Sequence, residues 1–581
     1  MADPAYGKLH LLPRPHMLRR MQAMWITPET SEDRVSQQIA RDFALPQCLA
    51  EILVRRGFDT LGASSFLDPR LKDLSAPELL PGISEAVDRL NVALRRKEKI
   101  VLYGDYDVDG VASLALLWRI LRGCGAEVEC FLPLRAEEGY GLSEAGLNRC
   151  LEDHSPKLLI AVDCGTNSVK EISWLRDQGV DVLVLDHHEP SGTRPPAVAV
   201  VNPKLGKTFH YLCSAGVVFK LAHALLKLSP QPGVDLKDYL DLVALATVAD
   251  MVPLVEENRI LVRRGLRQMG SSRWLGLHAL MEVSAVNGTP RGGDIGFRLG
   301  PRINASGRLG TAQESLRLLT TDDAAEARRI AASLENQNRE RQTVERAVTA
   351  QAEAWVDGSF DAKQHASIVA GSRDWHQGVV GIVAARLMRR YHRPTIVVGF
   401  DDSGNGKGSG RSIEGFSLVE ALGRCASLLE RFGGHEMAAG VSLREERFAD
   451  FRDAFEASAR AASNAQMLTP RIRLDACVEL HELGHEFLDA QERLEPFGLG
   501  NLQPSLWCRA VHPISPPRIL KEKHFRLEFA HGRSRITAMF FNAAENPLPR
   551  PPWDIAFRLE RNEFNGRNEP QIHVIAIRSA A

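Results

Sequence analysis

Three carboxylates stand at alternate positions in Gly104-Asp105-Tyr106-Asp107-Val108-Asp109-Gly110, directly after the apolar run IVLY. In one turn they repel one another unless a cation compensates them or water solvates all three. A helix–loop–helix calcium site fits poorly, because no Glu follows at the required offset and the flank reads as a strand. Two further apolar runs end in the same chemistry: LLIAVD at Asp163 and VLVLD at Asp186, the latter followed by His187 and His188. Asp250 closes the apolar stretch LVALATVAD. Taken singly, each Asp reads as a cap and each His as a satisfied core residue. Converging at one edge, carboxylates with imidazole form the donor set of a hard divalent cation, Mn²⁺ or Mg²⁺ rather than a thiolate-type metal. Two such ions about 3.5–4 Å apart would activate a water and stabilise the leaving oxygen in phosphoester hydrolysis.

The elements around these residues have to bring them together. The runs IVLY, LLIAVD, VLVLD and VAVV (before Asn202) alternate with helical patterns at Val111–Leu121 and Val169–Gln178. That alternation predicts a parallel sheet covered on both faces, with ligands bound at the carboxyl ends of the strands, where the Asp residues sit. After Val217 the chain turns helical. The charged stretch from Asp322 to about Trp355 reads as a solvated connecting helix with a thin apolar stripe. A second α/β texture starts at Ala366, and from about Arg471 short strands (IRLDACVEL, FRLEFA, RITAMFF, DIAFRLE, QIHVIAI) suggest a small β-barrel. The predicted class is α/β multidomain. Its parts are an N-terminal arm and helical region over 1–65, a catalytic domain over 66–320, a connecting helix over 321–364, a second α/β domain over 365–465 and a β-barrel over 466–581.

The 581 residues exceed what one core needs, and 44% hydrophobic content excludes a mainly disordered chain. The nine cysteines are widely spaced with no C-x-x-C pair, so neither a disulfide framework nor a zinc site is expected. No signal-peptide core or membrane-length apolar run is visible, and a cytoplasmic protein with no membrane partner is the expectation. The net charge of −1 hides a separation: residues 101–200 carry 16 Asp/Glu against 8 Lys/Arg, and residues 501–581 carry 12 Lys/Arg against 7 Asp/Glu. Lys521, Lys523, His524 and Arg526 cluster beside Phe525, the composition of a single-strand-binding groove. Phe540 and Phe557 read as core. GPRINASGRLG (300–310) is Gly-rich and carries Arg302, Asn304, Ser306 and Arg308, so it is either a phosphate-cradling loop or an ordinary surface loop. GSGRS (408–412) and Gly433-Gly434-His435 have the same character, and Trp375 reads as packing rather than as a stacking surface.

GDYDVDG, AVDCG, LDHHEP and ATVADMVPL together resemble the four motifs of the DHH phosphoesterase superfamily. The resemblance is closer still to its bacterial single-strand-specific exonucleases, from about Phe66 to the C-terminus, through RAEEGYGLS (135–143), GPRINASGRLG, WHQGVVGI, GSGRS and GGHEMAAG. It implies Asp107, Asp109, Asp163, His187 and Asp250 as ligands of two divalent cations, with Asp163 bridging, and His188 facing the scissile phosphate. Asp105 and Asp186 would be ligands or supports. It further implies a DHH-associated domain in which Ser409, Arg411 and His435 hold substrate phosphates, and an OB-fold at the C-terminus. One departure is Tyr103, at a position where many superfamily members carry His, so one ion is expected to have a protein ligand fewer.

The implied activity is metal-dependent 5′→3′ hydrolysis of single-stranded DNA to 5′-mononucleotides, in repair and recombination. A passage between the α/β domains too narrow for a duplex would give the strand preference. The implied partners are single-stranded DNA, single-stranded-DNA-binding protein and a RecQ-type helicase, with the protein itself a monomer. Two alternatives differ in class. A DHH phosphodiesterase of short oligonucleotides or cyclic dinucleotides would need no extended groove, and a non-catalytic nucleic-acid module would show eroded ligands, whereas here each principal Asp and His position is filled.

Overall fold

The computed structural model describes residues 23–29, 33–134, 138–139, 141–309, 311–532, 534–563 and 568–580. Most of the arm before Asp33, part of RAEEGYGLS and the side chain of Arg308 lie outside the described residues. The chain forms two compact units. One comprises residues 28–339 and 475–581, and the other joins 340–474 to the described residues before Pro28.

In the second unit, strand β1 (Met24–Ile26) pairs in parallel with β12 (Arg471–Arg473). The first unit starts with α1 (Arg34–Phe43), α2 (Gln47–Arg55) and α3 (Thr60–Leu67). Asp33 and Asp59 cap α1 and α3 by accepting from the Val35 and Gly62 N–H groups at 3.0 and 2.7 Å. These helices make no core alone. Ile39, Leu53 and Phe66 are buried with Leu527, Phe529 and Phe557 of the C-terminal β region.

After α4 (Ile83–Arg96) come β2 (Ile100–Gly104), β3 (Val128–Phe131), β4 (Leu158–Val162), β5 (Asp181–Leu185) and β6 (Ala199–Val201). They form an all-parallel sheet in the order β3-β2-β4-β5-β6. Side chains alternate between two cores, as the pleat requires. Leu102, Ile160 and Leu183 join α5 (Val108–Gly123), α8 (Ser214–Leu228) and α9 (Leu240–Ala249). Tyr103, Leu159 and Val184 join α6 (Glu144–His154) and α7 (Val169–Asp177). The register places Gly104 beside Val162, Val162 beside Leu185 and Leu185 beside Val201. The next residues, Asp105, Asp163, Asp186 and Asn202, therefore form a row along the carboxyl edge.

The helical remainder runs through α10 (Glu256–Met269), α11 (Leu275–Val283), a turn α12 (Gly292–Asp294), a π-helical turn Ile295–Leu299, α13 (Gly300–Leu309), α14 (Gln313–Thr320) and α15 (Ala324–Ser359). The expectation of a loop at 300–310 is corrected, since this segment is helical through Leu309. Its glycines serve close approach: a Cβ on Gly307 would lie 3.2 Å from the Tyr106 carbonyl oxygen, so the helix leans on the Asp-rich turn. The helix α15, about 54 Å long at ~1.5 Å per residue, is less solvated than its charge suggests. Ala327, Ile330 and Leu334 enter the first unit's core, and Val348, Ala352 and Val356 the second's. Even Arg341 and Glu345 are buried, as an ion pair at 2.6 Å.

The second unit contains β7 (Ile368–Ser372), α16 (Val380–Tyr391), β8 (Thr395–Phe400), β9 (Asn405–Arg411), α17 (Leu418–Gly423), β10 (Arg431–Gly434), β11 (Ala438–Arg444) and α18 (Phe448–Ala462). The sheet order is β10-β11-β9-β8-β7. Here too the Gly-rich segments expected as loops lie mainly in strands. A Cβ on Gly408 would meet the Val441 and Val398 side chains at 2.7 and 2.9 Å, so the glycine lets neighbouring side chains close over the sheet.

In the first unit again, β13 (Ala476–Cys477) and α19 (His485–Glu492) precede β14 (Leu506–Val511), β15 (Arg518–Leu520), β16 (His524–His531), β17 (Ser534–Phe540), β18 (Trp553–Asn562) and β19 (Glu569–Ser579). Their mixed sheet has the order β13-β14-β18-β19-β17-β16-β15. It curls back on itself, because just past β14 Pro513 bridges Phe529 and the Ile514 N–H donates to the Glu528 carbonyl at 2.9 Å. Among the described residues, no helix is long and apolar enough to cross a membrane.

Candidate metal centre and nucleic-acid interface

The Asp-rich turn links β2 to α5. Asp107 caps α5 by accepting from the Gly110 N–H at 3.0 Å, and a Cβ on Gly110 would fall 2.5 Å from the Asp105 carbonyl oxygen. Only glycine allows so tight a turn. Asp163 follows β4 with φ of 62°, a left-handed conformation uncommon for a non-glycine residue and enriched at functional sites. Asp250 is the C-terminal cap of α9. Three strand or helix ends thus deliver carboxylates to His187, whose Nε2 lies 3.5 Å from Asp163 Oδ1, 3.6 Å from Asp250 Oδ2 and 3.8 Å from Asp109 Oδ2.

Ligand atoms ~2.1 Å from one ion lie roughly 3–3.5 Å apart, so these separations suit a cation. Among the described residues, three groups of donor atoms have the required closeness: Asp105, Asp107 and Asp163; Asp109, His187 and Asp250; and Asp163, His187 and His188. Asp163 and His187 each belong to two of these groups. The charges show the same need. Burial, then the charges of Asp109, Asp107, Asp105 and Asp186, push the Asp163 carboxyl well up. Burial with Asp109 raises Asp107, and burial with Asp109 and Asp107 pushes Asp250 up to about 8. Asp250 Oδ2 is buried without a hydrogen-bond partner among the described residues. Buried like charges with an unmet oxygen fit a divalent cation, and the oxygen-rich donor set fits Mn²⁺ or Mg²⁺.

Asp186 behaves differently. Its Oδ1 accepts from the His187 and His188 N–H groups at 2.8 and 3.2 Å and meets His188 Nδ1 at 2.7 Å, while Oδ2 accepts from the Thr166 N–H at 3.0 Å. Burial opposes its ionisation, but the His188 hydrogen bond and charge outweigh this and hold the carboxyl well below the usual range. In return Asp186 overcomes the burial of His188 and pushes that imidazole up to about 9. Asp186 is therefore a support that orients His188, and not one of the clustered ligand groups. Tyr103 points to the opposite face of the sheet. Its ring stacks on Phe131 at 5.0 Å and its hydroxyl donates to the Gly141 carbonyl at 3.2 Å, so it offers nothing to the cluster.

Residues 99–247 match the DHH family, N-terminal domain, residues 363–461 the DHHA1 domain, and residues 474–576 the RecJ OB domain. Single-stranded-DNA-specific exonuclease RecJ of Haemophilus influenzae is 35% identical over 534 residues, covering 87% of this chain and 92% of that protein. The chain belongs to the RecJ family. The family's protein from Thermus thermophilus is 37% identical over 516 residues, covering 88% of this chain and 73% of its own. The crystal structure of RecJ in complex with Mn²⁺ from Thermus thermophilus matches with a TM-score of 0.83 at 32% identity, over 96% of this chain and 80% of that one. Its counterpart with Mg²⁺ matches with a TM-score of 0.78 at 30% identity, over 96% and 79%.

Within the family's DHHA1 domain, Gly433 pairs with Gly440 and Gly440 with Ser409, making one row across β10, β11 and β9. A Cβ on Gly433 or Gly440 would meet nothing within 4 Å, so bare backbone faces outward there. Arg411 donates to Ser409 Oγ at 2.9 Å, and a Cβ on Gly381, in the first turn of α16, would lie 3.0 Å from that oxygen. Gly434 and the exposed His435 form the adjoining hairpin, closed by the His435 N–H to the Ala438 carbonyl at 2.8 Å. Trp375 is core, donating Nε1–H to Gln351 at 2.9 Å.

The candidates Arg302, Ser306 and Phe525 are corrected. Ser306 is fully buried and bonds the Ile303 carbonyl and Ser315 at 2.9 and 2.8 Å, while Arg302 is paired with Glu335 at 2.7 Å. Both brace α13; Asn304 is half-buried. Phe525 faces the RecJ OB core with Leu527 and Phe529, because alternate residues of β16 point inward. Lys521 and Lys523 are exposed, and His524 and Arg526 half-buried. Among the described residues of this domain, the outward phenylalanine is Phe541, 45% exposed, with the His524 and His573 rings 5.4 and 5.2 Å away. The adjacent pair Phe540-Phe541 at a strand end was its sequence signal, since only one of two neighbours can face in. Thr166, Asn202 and Ser214 were missed, because uncharged residues carry no mark of a site until the fold places them.

Proposed function

We propose that this protein is a divalent-metal-dependent 5′→3′ exonuclease that hydrolyses single-stranded DNA to 5′-mononucleotides in DNA repair and recombination. The observation that carries the reading is the convergence of Asp109, Asp163 and Asp250 on His187, with Asp105 and Asp107 grouped beside Asp163, in a chain of the RecJ family. Asp107, Asp109, Asp163, His187 and Asp250, with Asp105 beside them, would hold two cations, Mn²⁺ or Mg²⁺. When bound, such cations activate the attacking water and offset charge on the leaving oxygen. His188, fixed through Nδ1 by Asp186, would turn Nε2 to a phosphate oxygen.

The glycine row with Ser409, Arg411 and His435 would grip backbone phosphates, the missing side chains allowing close approach and the guanidinium, hydroxyl and imidazole supplying donors without reading sequence. Lys521, Lys523, His524, Arg526 and Phe541 would lead the strand over the OB domain by charge and stacking. The proposed parts are 1–65, 66–320, 321–364, 365–465 and 466–581, in a cytoplasmic monomer. Single-stranded-DNA-binding protein and a RecQ-type helicase are the partners suggested by family resemblance. Digestion of 5′- and 3′-labelled single-stranded and blunt duplex DNA, with and without each metal, tests the reading. Mn²⁺-dependent release of label from 5′ single-stranded ends is expected. Equal attack on blunt duplex, or faster turnover of a dinucleotide than of a long strand, overturns it.

A further inference from the structure

Ser214 is the first residue of α8, fully buried, and 51 positions from Asp163 in sequence. The residue before it, Cys213, makes no side-chain cap, so the opening N–H groups of α8 need acceptors. They find them in Asp109: the Ser214 N–H donates to Oδ2 at 2.7 Å and the Ala215 N–H to Oδ1 at 3.0 Å. The carboxylate thus caps a helix from another part of the chain, and the helix end favours its negative charge. Ser113 adds a hydroxyl bond to Oδ1 at 3.2 Å. The Ser214 hydroxyl meanwhile donates to Asp163 Oδ1 at 2.8 Å.

One residue therefore grips two carboxylates of the cluster, by its backbone and its side chain separately. Lone-pair accounting gives the consequence. Asp109 Oδ1 already accepts twice and Oδ2 once, and Asp163 Oδ1 accepts from Ser214. The bonds also fix the rotation of both carboxylates, so that Asp109 Oδ2 and Asp163 Oδ1 are held 3.8 and 3.5 Å from His187 Nε2. We propose that Ser214 is a positioning residue that presets Asp109 and Asp163 around His187 and thereby sets the affinity of the centre for its cation. The inference rests on the metal-centre reading above. Hydrogen bonds to ligating carboxylates tune affinity by roughly 10–100-fold in metal sites generally.

The test is Mn²⁺ binding to the full-length, metal-stripped protein by titration calorimetry without DNA, beside thermal unfolding of each variant. Ser214→Ala removes only the hydroxyl bond and keeps the N–H to Asp109. It is expected to weaken Mn²⁺ binding at least about tenfold, to raise the Mn²⁺ needed for half-maximal nuclease rate by the same factor, and to recover rate as Mn²⁺ is added. Ser214→Cys, nearly the same size with a weaker donor, is expected to fall between. Ser113→Ala, which leaves the Ala215 N–H on the same oxygen, is expected to have the smallest effect. If any folded Ser214 variant binds Mn²⁺ as tightly as the unaltered protein, the inference fails while the metal centre stands. If the unaltered protein binds no Mn²⁺ at all, the metal-centre reading itself fails.

Discussion

Two sheets in this protein build their candidate sites in opposite ways. At the parallel sheet of the DHH domain, the residues just beyond the strands are Asp105, Asp163 and Asp186, each at most 2% exposed. On the mostly antiparallel sheet of the DHHA1 domain, the corresponding feature is absence: Gly433 and Gly440 carry no side chain beside Ser409 and Arg411. The first arrangement concentrates negative charge until a cation is required. The second strips side chains from the surface, leaving bare backbone beside Ser409 and Arg411. A site can thus be built by crowding ionised groups or by removing side chains.

The contrast is most exposed to failure at Asp163. Asp163→Ala is expected to lower the Mn²⁺-saturated rate by on the order of 10³-fold, as several kcal/mol of charge stabilisation are lost. Full Mn²⁺-dependent activity in that variant would remove the centre from the mechanism. Arg411→Ala on the other sheet is expected to raise KM for single-stranded DNA by roughly 10–100-fold with a smaller change in kcat, and to reduce the salt slope of binding by about 0.7. A fall in kcat alone would move Arg411 from binding to chemistry.

Adding a side chain to the bare strip tests the second sheet more finely. Gly440→Leu meets no atom in the fold at its Cβ, so unfolding should be nearly unchanged while DNA affinity drops by about tenfold. Unchanged affinity would show that the strip is not used. The smallest effect is on stability and pH. In the folded protein Asp250 keeps its proton up to about 8 rather than 3.8, so between those values folding binds the extra proton and stability falls as pH rises. His188, up to about 9 from 6.5, contributes stability that is complete below 6.5 and gone above 9. The Tm of metal-stripped protein should fall by a few degrees from about pH 6.5 to 9, and the gain from added Mn²⁺ should grow over the same window. A flat or rising Tm would contradict the assigned carboxylate environment.

Much of the catalytic half was legible in the chain. Strand runs ending in Asp, the glycines of the Asp-rich turn and the DHH triplet fix which residues leave a parallel sheet at its carboxyl edge, because the pleat and the strand direction follow from local pattern. Ionisable residues also announce themselves by type. The second half was harder to read. GPRINASGRLG and GSGRS look like loops because glycine is permissive, yet one is a helix and the other mainly a strand, where glycine is demanded by a neighbour such as Tyr106 or Val441 that sequence does not place nearby. Phe525 beside four basic residues looked like a stacking platform, but strand parity turned it inward and left Phe541 outside.

Residue order alone was enough for the donor types, their place at element ends and the chemistry of a hard divalent cation, since these depend on residue identity and short-range geometry. It took the folded chain to show that Asp186 serves His188, that Tyr103 faces away, and that Ser214 binds both Asp109 and Asp163. Those roles depend on which lone pair meets which hydrogen across 2 to 105 positions of chain, and a hydrogen bond exists only where folding has brought both partners within about 3 Å.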